Sequence, residues 1–186
     1  VCNTGGEYRE ANQSKSCVDC HMGSPKKGFV SSLSSQPTHV RSHAFHGARN
    51  SDILTRAVTL WGKKEKETLH IELTNLSTHS FPTGTGARLA VVTTRFFNGK
   101  KPLEAYSEKL SVSFTTLEGN VTLPPLSEKV ESDTRLKPNE KRVISYPLPK
   151  GATKATIHVD YFLASPALAE KFSLTQGLFT KSYPVI

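Results

Sequence analysis

Long apolar runs are absent from this sequence. No window approaches about 18 apolar residues, whereas a helix that crosses a bilayer needs about 20. The sequence therefore predicts no transmembrane span and no uncleaved secretion signal. The chain opens Val1-Cys2-Asn3 without a methionine, which is typical of a processed protein or of a piece of a longer one.

Signatures of hydrolytic catalysis and of nucleic-acid binding are also absent. Carboxylates are not paired in a pocket-like context, and neither a nucleophile elbow nor helix-turn-helix or zinc-finger spacing occurs. The net charge of +8 comes from basic residues spread along the chain. A solvated basic face accounts for it most simply, and docking to an acidic partner or an anionic surface is the functional alternative. We expect no catalytic residues and no nucleic-acid partner.

Two of the three cysteines lie in the pentapeptide Cys17-Val18-Asp19-Cys20-His21. Cys-x-x-Cys-His is the attachment pattern of c-type haem. Each thiol adds to one haem vinyl group, and the histidine that follows becomes the proximal iron ligand. The motif therefore predicts covalently bound haem c on Cys17 and Cys20, with His21 as a metal ligand. Because this attachment takes place in the periplasm or its equivalent, we expect a periplasmic or extracellular location.

Two other interpretations of the motif have less support. A thioredoxin-like redox pair needs a βαβ context and a helix that begins at the first cysteine, and the flanking residues 14–16 and 23–27 favour neither. A disulfide between Cys17 and Cys20 would be short and strained, and it would not account for His21. Cys2 is left over, either free, paired with another chain, or part of a missing segment.

The second axial ligand of the iron has several candidates. Met22 is the only methionine, and it follows the predicted proximal ligand His21 directly, so it cannot easily reach the opposite face of the porphyrin. We therefore expect coordination by two histidines, or an open site. The remaining candidates are His39, His43, His46, His70, His79 and His158.

Three of these histidines follow a Ser/Gly-rich loop at residues 28–35, which is long enough to bring them over the haem. If their segment is helical, His39 and His43 share one face, and His46 follows at i+3. Any one of the three is a candidate iron ligand. Together with the cysteine pair they also keep a zinc site open as an alternative.

His79 lies in a turn-forming stretch, residues 78–86, between two predicted strands. A histidine on a loop fixed by proline and glycine is well placed to approach a haem edge or iron. Gly84 and Gly86 do not form a dinucleotide-binding fingerprint, because no strand–turn–helix unit surrounds them.

The composition and the hydrophobic patterning of the sequence change at about residue 53. Residues 1–52 are polar and poor in aliphatic side chains, so we expect a haem-binding segment organised around its cofactor. Residues 53–186 show short alternating runs separated by turn residues, which predicts an antiparallel β-sandwich domain and a mainly β protein. Strands are predicted at 55–61, 68–74, 88–97, 110–116, 141–148 and 153–162.

Local signals add detail to the sandwich. Asn98-Gly99 predicts a hairpin turn, and Ser165-Pro166 predicts the start of a short helix. The aromatic residues predicted to lie in the sandwich core are Trp61, Phe96, Phe97, Phe114, Tyr161 and Phe162.

Several stretches carry a family resemblance. The segments CNTGGEY at 2–8, CVDCHMG at 17–23 and RSHAFHGA at 41–48 resemble the final haem segment of bacterial multihaem c-type cytochromes. THSFPTG at 78–84, with Arg88 following, is similar to the His-x-x-Pro-Thr-Gly…Arg turn of the β-sandwich that follows in that family. LKPNE at 136–140, before a predicted strand, also resembles that sandwich.

The resemblance implies iron bound by two histidines, and haems packed closely enough to exchange electrons. It makes His43 and His79 the distal ligands, either to this haem or to one on a neighbouring segment. The family carries several Cys-x-x-Cys-His motifs, whereas this sequence has one. The chain is then either the C-terminal part of a longer cytochrome or a reduced form whose partners carry the other haems. In a single-haem protein, one of the two histidines has no iron to bind.

Electron transfer through the haem is the function that these features favour, and an electron carrier is expected rather than an enzyme. The expected partners are redox proteins or other cytochrome subunits, with oligomers possible. One alternative is a multihaem-type oxidoreductase acting on nitrogen or sulfur oxyanions, which needs an open iron position, and the surplus of histidines argues against one. Another is a β-sandwich assembly subunit of an extracellular cytochrome array.

Overall fold

The computed structural model describes residues 3–12, 14–172 and 175–185, so Cys2 lies outside the described residues. The predicted mainly β, antiparallel fold is confirmed. Within the described part of the chain, no helix is long and apolar enough to cross a membrane.

The N-terminal part has little regular structure. It contains helices α1 (Thr4–Glu10) and α2 (Cys17–His21) and an antiparallel hairpin of strands β1 (Lys26–Gly28) and β2 (Thr38–Val40). The segment that carries His39, His43 and His46, called the histidine segment below, does not form the helix considered for it, because Thr38–Val40 at its start pair with β1. In the described residues 3–12 and 14–50, Glu7 is the only buried residue. A segment with so little burial has no hydrophobic core of its own.

Helix α3 (Ser51–Ala57) joins this part to the sandwich. The side chain of Asn50 accepts a hydrogen bond from the backbone N–H of Ile53 at 3.0 Å, which caps the helix. The strand predicted at 55–61 therefore begins only at Val58, and its first residues are helical.

The rest of the molecule is mainly β. Its strands are β3 (Val58–Glu65), β4 (Thr68–Asn75), β5 (Leu89–Asn98), β6 (Lys101–Leu110), β7 (Val112–Thr115), β8 (Lys129–Asp133), β9 (Lys141–Pro147), β10 (Lys154–Phe162) and β11 (Thr175–Pro184). Most of them form two antiparallel sheets, with strand orders β11-β10-β5-β6 and β3-β4-β9, and β7 and β8 pair as a separate ribbon. The short helix α4 (Pro166–Lys171) begins where Ser165-Pro166 predicts it.

The inward faces of the two sheets share one hydrophobic core, as in a β-sandwich. In β4 every second side chain is buried, and the same alternation runs along β10. Phe96, Phe114 and Tyr161 are buried as predicted. The prediction for Trp61 is wrong: its side chain is 57% exposed, because the alternation of β3 turns Leu60 inward.

Five of the described strands are not predicted from the sequence, namely the short pair β1 and β2 and the strands β6, β8 and β11. Strands β6 and β11 are the edges of their sheet, and β8 is exposed along its whole length, so the alternation that predicts a strand is weak or absent in β6 and β8. The β5–β6 turn consists of Gly99 and Lys100, one residue later than predicted, and Gly99 supplies its positive φ of 56°.

A buried asparagine at the end of β4 fixes the loop that follows. The side-chain nitrogen of Asn75 lies 2.9 Å from the carbonyl oxygen of His79, 3.1 Å from that of Leu136 and 2.9 Å from that of Lys137. Its side-chain oxygen accepts from the backbone N–H and the hydroxyl of Ser77, at 2.9 and 2.7 Å. The path of the His79 loop is therefore set from inside the sandwich.

We expect Asn75→Ala to lower the free energy of unfolding by about 2–4 kcal/mol, because several backbone groups lose their partners away from water. Urea denaturation monitored by circular dichroism measures the change. Asn120→Ala, at an exposed turn position, is the control and should change stability by less than about 0.5 kcal/mol. Equal effects of the two substitutions would show that the Asn75 contacts do not stabilise the fold.

Candidate haem site

The Cys-x-x-Cys-His motif forms helix α2. The carboxylate of Asp19 accepts hydrogen bonds from the backbone N–H and the hydroxyl of Ser16, at 2.9 and 2.7 Å. These bonds hold the pKa of Asp19 below its usual value, with a further contribution from the charge of Arg41. The expectation that the flanks disfavour a helix beginning at Cys17 is therefore wrong, because Ser16 and Asp19 form a capping pair.

Both thiols of the motif are accessible. Cys17 and Cys20 are exposed and not joined to each other, and three positions apart on a helix they share one face. This arrangement suits attachment of both thiols to one ligand that also meets His21. Every described strand pair is antiparallel, so the βαβ context of a thioredoxin-like pair does not surround the motif.

An arginine holds α2 against the β1–β2 hairpin. The guanidinium of Arg41 lies 2.6 Å from the carboxylate of Asp19 and also donates to the backbone carbonyl of Gly23. Gly23 has a φ of 67°, which lets the chain turn away directly after the helix. The motif therefore has a fixed position relative to the histidine segment.

The structure brings His21 and His79 together. Their ring centroids are 6.3 Å apart, and their planes differ by 15°. An imidazole nitrogen binds a first-row metal at about 2 Å, and the nitrogen lies about 1.1 Å from its ring centre, so two imidazoles on opposite sides of one metal have centroids about 6.2 Å apart. The observed separation matches that value.

Both rings form their hydrogen bonds through Nδ1, which leaves Nε2 of each ring available to bind a metal. Nδ1 of His21 donates to the backbone carbonyl of His46, and Nδ1 of His79 lies 3.3 Å from the carbonyl oxygen of Ser80. A carbonyl only accepts, so each Nδ1 carries the proton and each Nε2 carries the lone pair. Among the described residues, neither Nε2 has a hydrogen-bonding partner. Metal-binding histidines typically have their other ring nitrogen fixed in this way.

Burial favours the neutral form of His79. Desolvation lowers the pKa of its imidazole and is the largest contribution; the hydrogen bond to the carbonyl of Ser80 opposes it, the neighbouring His21 lowers the pKa further, and the charge of Glu7 raises it slightly. A neutral imidazole is the form that binds a metal. The two histidines, with the exposed thiols beside them, therefore fit a covalently attached haem.

His46 has the opposite tautomer. The oxygen of the Asn50 side chain is committed to the cap of α3, so its nitrogen is the group that donates to Nδ1 of His46, at 3.1 Å. The proton of a neutral His46 then lies on Nε2, which is the wrong form for a ligand through that atom. The backbone of His46 instead positions His21, because it also donates its N–H to the carbonyl of His21 at 3.0 Å.

The other candidate histidines have no described hydrogen bond or ring contact with His21 or His79. His39 is exposed on β2, and His43 is exposed in the coil that follows, with no described hydrogen bond or ring contact to His21. His70 on β4 and His158 on β10 have Nδ1 next to hydroxyl groups of neighbouring strands. In the described part of the chain, no three His, Cys, Asp or Glu residues form a metal-binding group, so the zinc alternative gains no support.

Two supporting residues were not predicted. Phe45 packs on His21 with ring centroids 4.5 Å apart and planes within 15°. Glu7 accepts a hydrogen bond from the backbone N–H of Ser80, the residue after His79. Phe45 has a weak sequence signal, as an aromatic residue between two candidate ligands. Glu7 has none, because a single carboxylate in a polar segment is expected at the surface.

Comparisons with known proteins give one structural likeness to report. No protein-family model and no curated protein matches the sequence. The structure is similar to that of a penta-haem cytochrome c552 from Thermochromatium tepidum, with a TM-score of 0.78 and 24% sequence identity, over 99% of this chain and 51% of that chain. The chain thus spans about half the length of that cytochrome. This likeness shows that the chain has the fold of that half of a multihaem cytochrome.

Proposed function

We propose that the chain carries out electron transfer as a c-type cytochrome, with haem c bound to Cys17 and Cys20 and with His21 and His79 as axial ligands. The His21–His79 pair is the observation that supports this most directly. The ring centroids are 6.3 Å apart, the planes are nearly parallel and each ring is hydrogen-bonded through Nδ1, which suits ligands to one metal, and Cys17 and Cys20 on the helix of His21 are exposed. The likeness to a penta-haem cytochrome supports the same proposal.

The surrounding residues have defined roles in this proposal. The carbonyl of His46 and the ring of Phe45 orient the imidazole of His21, and Asn75 fixes the loop that carries His79. When bound, the haem iron supplies a one-electron couple. Two imidazole ligands, from His21 and His79, would leave substrates no direct access to the metal, which favours electron transfer over catalysis.

His43 has a different role in the proposal. Its exposure suits a distal ligand to a haem on a neighbouring segment or subunit. Redox proteins or other cytochrome subunits are then the partners, and a periplasmic or extracellular location follows from the attachment chemistry. This arrangement would also explain why one Cys-x-x-Cys-His motif is accompanied by two candidate distal histidines.

The purified protein should contain one haem per chain and show sharp low-spin bands in its reduced absorption spectrum. An alkaline-pyridine assay gives the haem count, and oxidised and reduced spectra give the spin state. Because both axial positions are filled, added cyanide or nitrite should leave the spectrum unchanged. A high-spin spectrum that shifts with either anion would instead favour the oxidoreductase alternative.

Substitution of the two histidines separates their roles. His79→Ala should convert the haem to a high-spin form that binds cyanide, because one axial ligand is lost, whereas His43→Ala should leave the low-spin spectrum of this haem unchanged. Spectral titration with cyanide measures both. The reverse result would make His43 the axial ligand and contradict the assignment of His79.

A further inference from the structure

The carboxylate of Glu7 lies at the junction of three chain segments. Its Oε2 accepts from the backbone N–H of Ser80 at 3.0 Å and from the hydroxyl of Thr83 at 3.4 Å. Its Oε1 pairs with the guanidinium of Arg135 at 3.1 Å. The Glu7 side chain is only 9% exposed, so these contacts replace most of its hydration.

Two partners of Glu7, Ser80 and Thr83, lie in the loop that carries His79, and the third, Arg135, lies in the segment bonded to that loop. Ser80 follows His79 directly, and Phe81 exchanges two backbone hydrogen bonds with Leu136, at 2.8 and 2.9 Å. Because Arg135 precedes Leu136, the ion pair reaches the segment to which the loop is bonded. The hydroxyls of Thr4 and Thr83, 2.9 Å apart, add a second link from α1 to the same loop.

We propose that Glu7 is a positioning residue for His79, and that it keeps His79 within reach of the metal bound at His21. This inference rests on the proposed function. Hydrogen bonds within the sandwich, chiefly those of Asn75, fix the loop from one side, and Glu7 fixes it from the N-terminal segment. Without the carboxylate, His79 keeps its place in the sandwich, but of the described contacts only the Thr4–Thr83 pair still links its loop to α1.

The test uses the haem-loaded protein and four variants. Glu7→Ala removes every contact, and Glu7→Gln keeps an acceptor for Ser80 but loses the charge that pairs with Arg135. Glu10 is exposed on the same helix, so Glu10→Ala and Glu10→Gln are the matched controls. Because only a ligand that leaves the iron admits carbon monoxide, the binding of that gas to the reduced protein reports how often His79 dissociates.

We expect carbon monoxide binding to increase by about tenfold or more in Glu7→Ala, because the hydrogen bonds to a charged carboxylate are lost. The increase should be smaller in Glu7→Gln, because its side-chain oxygen still accepts from Ser80. Hydrogen exchange of the Ser80 amide, which does not depend on haem chemistry, should accelerate in the same order. The Glu10 variants should match the unaltered protein. If Glu7→Ala fails to fold, Glu7→Gln carries both measurements.

The outcomes separate the two proposals. If the unaltered protein is not low-spin, the proposed function fails, and the role of Glu7 falls with it. If the unaltered protein is low-spin, but both Glu7 variants resist carbon monoxide and protect Ser80 as well as the Glu10 controls do, only the positioning role is overturned.

Discussion

A buried carboxylate, that of Glu7, connects the two parts of this molecule at the place where the candidate ligands meet. The described residues of the N-terminal part bury only Glu7, so hydrophobic packing contributes little to the position of that part. A buried charge is tolerated only when it is paired and hydrogen-bonded, which Arg135 and Ser80 provide. The alignment of His21 with His79 therefore depends on directional polar contacts, which specify a geometry more closely than apolar burial does.

The sequence predicts the sandwich because its central strands are covered on one face. In β4 and β10 every second side chain is buried, and all of these except Asn75 are apolar, so the alternation can be recognised in the sequence alone. Edge strands have no such requirement, which is why β6 was missed and its turn placed one residue early. Trp61 shows the limit of residue type as a guide, because its place on β3, and not its hydrophobicity, decides that it is exposed.

The candidate site was predictable only in part. Its attachment motif is local, so the positions of Cys17, Cys20 and His21 follow from spacing alone. The choice among the other histidines depends on which ring nitrogen carries a proton, and this is decided by the hydrogen-bond partner of each ring, as Asn50 decides it for His46. No spacing rule contains that information.

The hydrophobic core of the sandwich has a consequence for the order of maturation. Its buried members begin at Leu54, and of the described residues among 1–52 only the partly buried Ala48 packs against it. Such a core can form while the segment that carries the Cys-x-x-Cys-His motif is still extended. Under the proposed function, both thiols would then be accessible during haem attachment, and the sandwich would already hold the loop of His79 in shape when the segment packs against it.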